Sequence, residues 1–175
     1  MLIENERTFL LKFIPSDLKN YPKEEYLDIY IPKKHNHPNL RIRKRGSQYE
    51  ITKKFPVRLG DASKQHEFTI PISKDEFNEL EKNLQGKYLK KQRYYYKYND
   101  IPVEIDIFKE NLRGLALADF EFTSESDKID FREPNFCLAE VTQENIIAGG
   151  RLAGKKYEQI KHILNKYDYK PLFID

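Results

Sequence analysis

The chain has no tryptophan, one methionine and one cysteine, Cys137. A lone cysteine excludes an internal disulfide and any cysteine-cluster metal site. Cys137 is expected as a small buried hydrophobe rather than a nucleophile. Long apolar runs are missing as well. No stretch approaches the roughly 18 residues of a membrane span, and the first residues form no apolar signal core. These absences predict a soluble, cytoplasmic protein with no membrane partner. An excess of one charge sign is also lacking, since 31 Lys and Arg face 28 Asp and Glu for a net +3. That balance carries no information about long-range attraction.

What is present is charge of both signs among large apolar residues. Charged residues make up 34% of the chain, above the roughly 25% of ordinary soluble proteins. Tyr (12) and Phe (11) are plentiful. At 175 residues the chain is expected to form one domain, 1–175, large enough for a real core.

Alternation marks the strands. Residues 2–12 put Glu4, Glu6 and Thr8 on one face and Ile3, Phe9 and Leu11 on the other. Further strands are expected over 25–31, 40–45, 48–54, 65–70, 90–98, 103–108, 115–122 and 137–142, most of them joined by short turns. Ser16 is a candidate cap for a short helix. Ser73 with Glu76 forms a capping box for a helix over 73–84, with Phe77, Leu80 and Leu84 at helical spacing and Gly86 as its stop. Asn99-Asp100 reads as a turn, 124–134 as a polar linker and 155–167 as a closing helix. His35 and His37 fall in a Lys- and Asn-rich loop beside Pro38 and are expected to be solvated. Roughly eight strands and two or three helices result, an α+β chain without a repeat of fixed period.

Several of these strands have one apolar face and one ionic face, and the ionic faces carry like charges in pairs. Glu4/Glu6, Glu104/Asp106 and Asp119/Glu121 are paired acids, and Arg41/Arg43 and Lys91/Arg93 are paired bases. On one strand this could be a solvated face with weak cross-strand ion pairs. Repeated on many strands it is unfavourable unless ions of opposite sign lie between like charges. Carboxylate pairs suit hard divalent cations such as magnesium or manganese. Arg and Lys suit phosphate, Arg through its bidentate fork. A metal–polyphosphate complex satisfies both.

The order of motifs resembles the CYTH superfamily, the triphosphate tunnel metalloenzymes. Glu4-Asn5-Glu6-Arg7-Thr8 stands where that family has Glu-x-Glu-x-Lys. Arg41-Ile42-Arg43, Thr52-Lys53-Lys54, Lys91-Gln92-Arg93-Tyr94, Glu104-Ile105-Asp106-Ile107-Phe108, the stretch Gly114 to Phe122 and Glu140-Val141-Thr142 are similar to its later motifs, in order. The resemblance implies an eight-stranded antiparallel β-barrel flanked by helices, with a charged tunnel inside. It implies a triphosphate-bearing small molecule held by Arg41, Arg43, Lys54, Lys91 and Arg93, and Mg2+ or Mn2+ on Glu4, Glu6, Asp106, Asp119 and Glu121. Glu4, Glu6, Lys54 and Arg93 are expected to carry the catalysis. Thr8 departs from the family pattern and leaves Lys12 or Lys54 to supply the missing charge. Gln65 stands where an acid is expected, with Glu67 retained.

The expected activity is metal-dependent hydrolysis of the terminal phosphate of inorganic triphosphate or a triphosphate-bearing molecule. The alternatives are an adenylate cyclase, with Tyr94, Tyr96 and Tyr98 stacking on the base, and a nucleotide- or polyphosphate-binding module without turnover. Arg41 to Arg45 and the basic, tyrosine-rich 87–97 stretch also resemble a nucleic-acid surface. Acids on the neighbouring strands argue against an open groove for a polyanion. The sequence leaves a homodimer open.

Overall fold

Alternating side chains produce strands here because each strand can bury one row of Val, Ile, Leu, Phe and Tyr while turning the other row away. The computed structural model describes residues 2–99 and 101–174. Among these, nine strands form one antiparallel sheet. They are β1 (Leu2–Leu11), β2 (Lys23–Ile31), β3 (Leu40–Arg45), β4 (Gln48–Pro56), β5 (Lys64–Pro71), β6 (Lys87–Tyr98), β7 (Ile101–Phe108), β8 (Ala116–Glu121) and β9 (Cys137–Glu140). The helices are α1 (Lys74–Asn83), α2 (Glu125–Asp130), α3 (Gly149–Leu152) and α4 (Tyr157–Leu164), with short 3-10 turns between elements.

Two meanders make the barrel. The first runs β2-β3-β4-β5; α1 then carries the chain back, and β6 joins the free side of β2 to begin β6-β7-β8. β1 closes the ring. One of its edges pairs with β8, through Glu6 opposite Glu121 and Thr8 opposite Asp119. Its other edge pairs with β5 over Leu2 to Asn5 and with β9 over Phe9 to Leu11. The result is a closed eight-stranded antiparallel barrel with β9 added outside, as expected. Closure leaves the eight strands without a free edge between them.

Two apolar layers wrap the outside, and a third cluster fills one end of the barrel. Phe9, Leu11, Tyr94, Val103, Ile105, Ala118 and Phe120 pack beneath Phe131 and Phe136. The ring centroid of Phe131 lies 4.6 Å from that of Phe120 and 5.1 Å from that of Phe122. Each such pair contributes about 0.5–1.5 kcal/mol beyond its buried area. Ile29 and Ile42 pack against Phe77 of α1. Leu10, Leu115, Ile160 and Leu164 join α4 to one end of the barrel.

The Ser73–Glu76 capping box forms as expected. Some local expectations need correction. The 124–134 linker contains α2, capped by Ser124 and pinned by Lys128, whose Nζ donates to Asn5 Oδ1 (3.0 Å) and Ser63 Oγ (2.6 Å). Ser16 caps nothing; a single 3-10 turn, Leu18–Asn20, follows Asp17. Gly86 does not stop α1, which ends at Asn83 with Leu84 as an extended cap. A Cβ at Gly86 would lie 2.2 Å from Ile29 Cγ2, so this glycine is needed for close approach to β2. The closing helix is shorter than 155–167, because a 3-10 turn over Asn165–Tyr167 takes its last residues. Ile3 shares the face of Phe9 and Leu11 but stays 46% exposed, beyond the reach of the covering layer. Asn99 adopts the left-handed conformation of a turn (φ 46°); Asp100, the other half of that expectation, lies outside the described residues. No helix among the described residues is long and apolar enough to cross a membrane.

Candidate active site

The period of two that buries one face of each strand turns the ionic row inward. All ten residues expected at the site line one cavity of about 1350 Å³: Glu4, Glu6, Arg41, Arg43, Lys54, Lys91, Arg93, Asp106, Asp119 and Glu121. Toward one end, Leu10, Tyr30, Leu89, Phe108 and Leu117 replace the charges. They pack against Val141, Ile147 and Leu152, so this end of the tunnel is closed by apolar contact.

Inside, the cations differ in how far they are engaged. The Arg43 fork is committed to Asp28, with Nε donating to Oδ1 (2.6 Å) and Nη2 to Oδ2 (2.8 Å). Burial alone would raise the Asp28 carboxyl, but Arg43 and Arg41 outweigh it and hold it well below the carboxylate range. Arg93 grips Asp106 in the same bidentate way, at 2.7 and 2.6 Å. It also reaches Glu104 and, at 3.4 Å, Asp119. Lys91 donates to Asp106 as well. Burial of Asp106 is overcome by Arg93 and Lys91, which keep its carboxyl down at about 2. Lys54 donates to Glu4 and lies 2.9 Å from Glu67. Arg45, which donates to Gln48 and keeps a buried Nε with no partner, is less engaged, and so is Arg41. Arg41 donates to the neutral Tyr30 hydroxyl (3.1 Å), stands 3.9 Å from Glu67, and keeps a buried Nε with no partner.

The acids outnumber the bases. Among the described residues Arg41, Arg43, Arg45, Lys54, Lys91 and Arg93 face Glu4, Glu6, Asp28, Glu50, Asp61, Glu67, Glu104, Asp106, Asp119, Glu121 and Glu144. The surplus collects where β1 meets β8. Glu6 and Glu121 are directly opposite, and among the described residues neither carboxyl has a hydrogen bond or ion pair. Burial pushes Glu6 up to about 8 against the pull of Lys54, with Asp119 and Glu4 adding to the rise. Burial, then Asp106, also raises Asp119. No group of three or more Asp, Glu, His or Cys side chains among the described residues stands ready as a complete cation cage. That donor set nevertheless fits a small hard cation, since magnesium takes one or two carboxylates and fills the rest of its shell with water and substrate phosphate.

A family model for the CYTH domain matches residues 3–133. The chain belongs to the CYTH family. It is 31% identical over 145 residues to an inorganic triphosphatase of Nitrosomonas europaea, covering 82% of this chain and 91% of that protein. The crystal structure of the inorganic triphosphatase NE1496 superposes with a TM-score of 0.65 at 26% identity, covering 89% of this chain and 97% of the other. A putative adenylyl cyclase from Hippeastrum, described as having a dominant triphosphatase activity, shares the fold (TM-score 0.51, 12% identity, 97% and 89% covered). CYTH triphosphatases are metal-dependent.

This CYTH tunnel corrects part of the sequence reading. Tyr94, Tyr96 and Tyr98 form no base-stacking row in its interior; of the three, Tyr96 alone borders the cavity. They pack in the outer aromatic layer, Tyr96 and Tyr98 edge-on to Phe136 at 5.8 and 5.7 Å. Lys12 does not replace a charge at Thr8, because β1 ends at Leu11 and Lys12 is exposed. Thr8 instead donates through Oγ1 to Asp119 Oδ1 at 2.7 Å, and Lys54 is the base that reaches the β1 acids. Gln65 lines the wall and donates to the Ala62 carbonyl (3.1 Å). The loop with His35 and His37 is exposed, as expected. Asp28, Tyr26 and Tyr30 on β2, and Glu50 on β4, were not singled out for the site. Asp28 could have been found as the lone acid between two tyrosines at period two, with Leu27, Ile29 and Ile31 at the opposite parity.

Proposed function

We propose that this CYTH protein is a divalent-metal-dependent triphosphatase that cleaves the terminal phosphate of inorganic triphosphate or a triphosphate-bearing small molecule inside the tunnel. The observation that carries the reading is the convergence of six cations and a surplus of acids on one enclosed cavity, in a chain similar to an inorganic triphosphatase over most of both lengths. We read residues 1–175 as one tunnel domain acting in the cytoplasm.

Arg41, with its unpartnered Nε, is the first point of capture for phosphate. Lys54, Lys91, Arg93 and Arg43 extend that surface and offset negative charge as it shifts toward the leaving group. Each of the four meets phosphate by loosening its grip on an acid, so arrival of the substrate exchanges partners within a preformed network. Glu4, Glu6, Asp119 and Glu121 would hold magnesium or manganese, joined by Asp106 once Lys91 and Arg93 turn to phosphate. When bound, such an ion polarises phosphoryl oxygens and makes water a better nucleophile at neutral pH. Burial raises both Glu6 and Asp119, so to hold a cation at the β1–β8 seam they would have to release their protons. Thr8 holds Asp119 in place at that seam.

The test is phosphate release from inorganic triphosphate with magnesium or manganese. Wild type should turn over, and the Glu4→Gln/Glu6→Gln double variant should lose at least about a hundredfold in rate, as for removal of groups acting directly on the reacting atoms. Equal rates in the two proteins sink the proposal. Cyclic AMP and pyrophosphate from ATP would instead select a cyclase, and tight binding without product a binding module.

A further inference from the structure

Tyr26 of β2 is 3% exposed, and its ring forms part of the tunnel wall. Three cations surround it. The Arg43 guanidinium carbon lies 4.7 Å from the ring centroid, that of Arg93 5.1 Å, and the Lys91 ammonium 5.6 Å. Arg43 arrives from β3 and the other two from β6, the strands on either side of β2. Like charges gathered so closely repel. Lys91 registers this: burial first, then Arg93, holds its ammonium below the ordinary lysine value.

Two kinds of group can hold such cations together. A carboxylate does so strongly, as Asp28 and Asp106 do here, but it also repels an incoming phosphate. An aromatic face attracts cations through its quadrupole while carrying no net charge. It can therefore keep hold of them while they turn to an anion. The ring is itself anchored. Tyr95 donates to Glu24 Oε2 at 2.6 Å, which leaves the Tyr95 oxygen to accept from the Tyr26 hydroxyl 2.9 Å away.

We propose that Tyr26 is a positioning residue whose ring face gathers Arg43, Lys91 and Arg93 into one phosphate-facing group. This rests on the triphosphatase reading only in requiring that the tunnel bind triphosphate. It acts through the cations and touches no reacting atom, so its loss weakens binding more than turnover.

The test is calorimetric titration of the protein with inorganic triphosphate in magnesium, beside steady-state kinetics. Tyr26→Leu should weaken binding and raise KM about tenfold, with kcat changed by less than about threefold, as expected for loss of one or two partly desolvated cation–π contacts. Tyr26→Phe should stay within about twofold of wild type. Phenylalanine bearing one, two, three and five ring fluorines at position 26 should weaken binding stepwise, because fluorine drains the ring face without changing its shape. A purely space-filling ring would show no such series. Binding by Tyr26→Leu as tight as wild type, or a flat fluorine series, overturns the proposal; the series decides if the leucine variant fails to fold. A wild type that binds triphosphate without hydrolysing it removes the triphosphatase reading and leaves the role of Tyr26 to the same series. A wild type that binds none overturns both.

Discussion

Glu6 shows how one residue can carry both a cost and a use. Its carboxyl sits on the tunnel wall, opposite Glu121, with its ordinary value of 4.5 pushed up to about 8 by burial. In the metal-free protein the folded state therefore keeps a proton that the unfolded chain has released. Its contribution to stability is full below about pH 4.5 and is lost as pH rises through about 8, because the folded form binds more protons in that window. Thermal unfolding of metal-free wild type against Glu6→Gln, from about pH 5 to about pH 9, should show the wild type losing ground to the variant as pH rises. Parallel curves would count against the raised carboxyl. This much of the site was legible: Glu4 and Glu6 share parity, as do Asp119 and Glu121, and a barrel has only an inside and an outside. The partners of Arg43 were not legible. Asp28 reaches it because β2 and β3 pair with these two residues opposite, and register across an eight-residue loop is not written in either strand alone. Parity also refutes the tyrosine row, since Tyr94, Tyr96 and Tyr98 cannot share a face with Lys91 and Arg93.

Among the elements, α3 has the least sequence signal, yet it packs close behind the site. It spans Gly149–Leu152 and is too short for any periodicity to reveal. Its two glycines allow it to sit tight against the barrel end. A Cβ on Gly149 would lie 2.2 Å from the Tyr30 hydroxyl, and one on Gly150 would lie 2.0 Å from the Pro38 carbonyl oxygen. Tyr30 in turn accepts from Arg41, so α3 packs directly behind a partner of the arginine proposed to capture phosphate. Gly150→Ala should cost about 2 kcal/mol in urea unfolding, the usual scale for forcing a methyl into a packed core. An unchanged midpoint would show that the Pro38 loop yields freely. The 124–134 segment gives the same lesson from the other side. Its composition is polar, yet Phe131 closes the aromatic layer over Phe9 and Phe120. A single buried ring among polar residues has no period and is found only once its partners are assembled. The Ser73–Glu76 box, by contrast, is a local hydrogen-bond pattern and formed where the sequence placed it.

For the whole molecule, the small positive net charge hides the opposite balance inside. The chain carries +3, while the tunnel gathers more carboxylates than cations. In an enclosed site such charges are poorly screened. A free triphosphate anion therefore meets a cavity of its own sign unless divalent ions reverse it. Calorimetry in excess chelator should show triphosphate affinity falling at least about a hundredfold, roughly 2.7 kcal/mol, and recovering when magnesium is restored. Magnesium alone should raise the melting temperature of wild type, since a ligand bound by the folded form stabilises it. Affinity that survives chelation would place capture on the arginines and lysines alone.

By itself the sequence determined which side chains share a face, where one helix is capped, and that acids and bases alternate with a buried apolar row. Those are consequences of local geometry, of a two-residue repeat and of hydrogen bonds that span three residues. The order of its motifs already pointed to a barrel with a charged tunnel, but only the tertiary structure decided that Asp28 and Asp106 occupy the cations, that Tyr26 stands among three of them, and that α3 packs against one end. Each of these depends on which distant strands become neighbours and in what register, and that follows from the packing of the whole barrel.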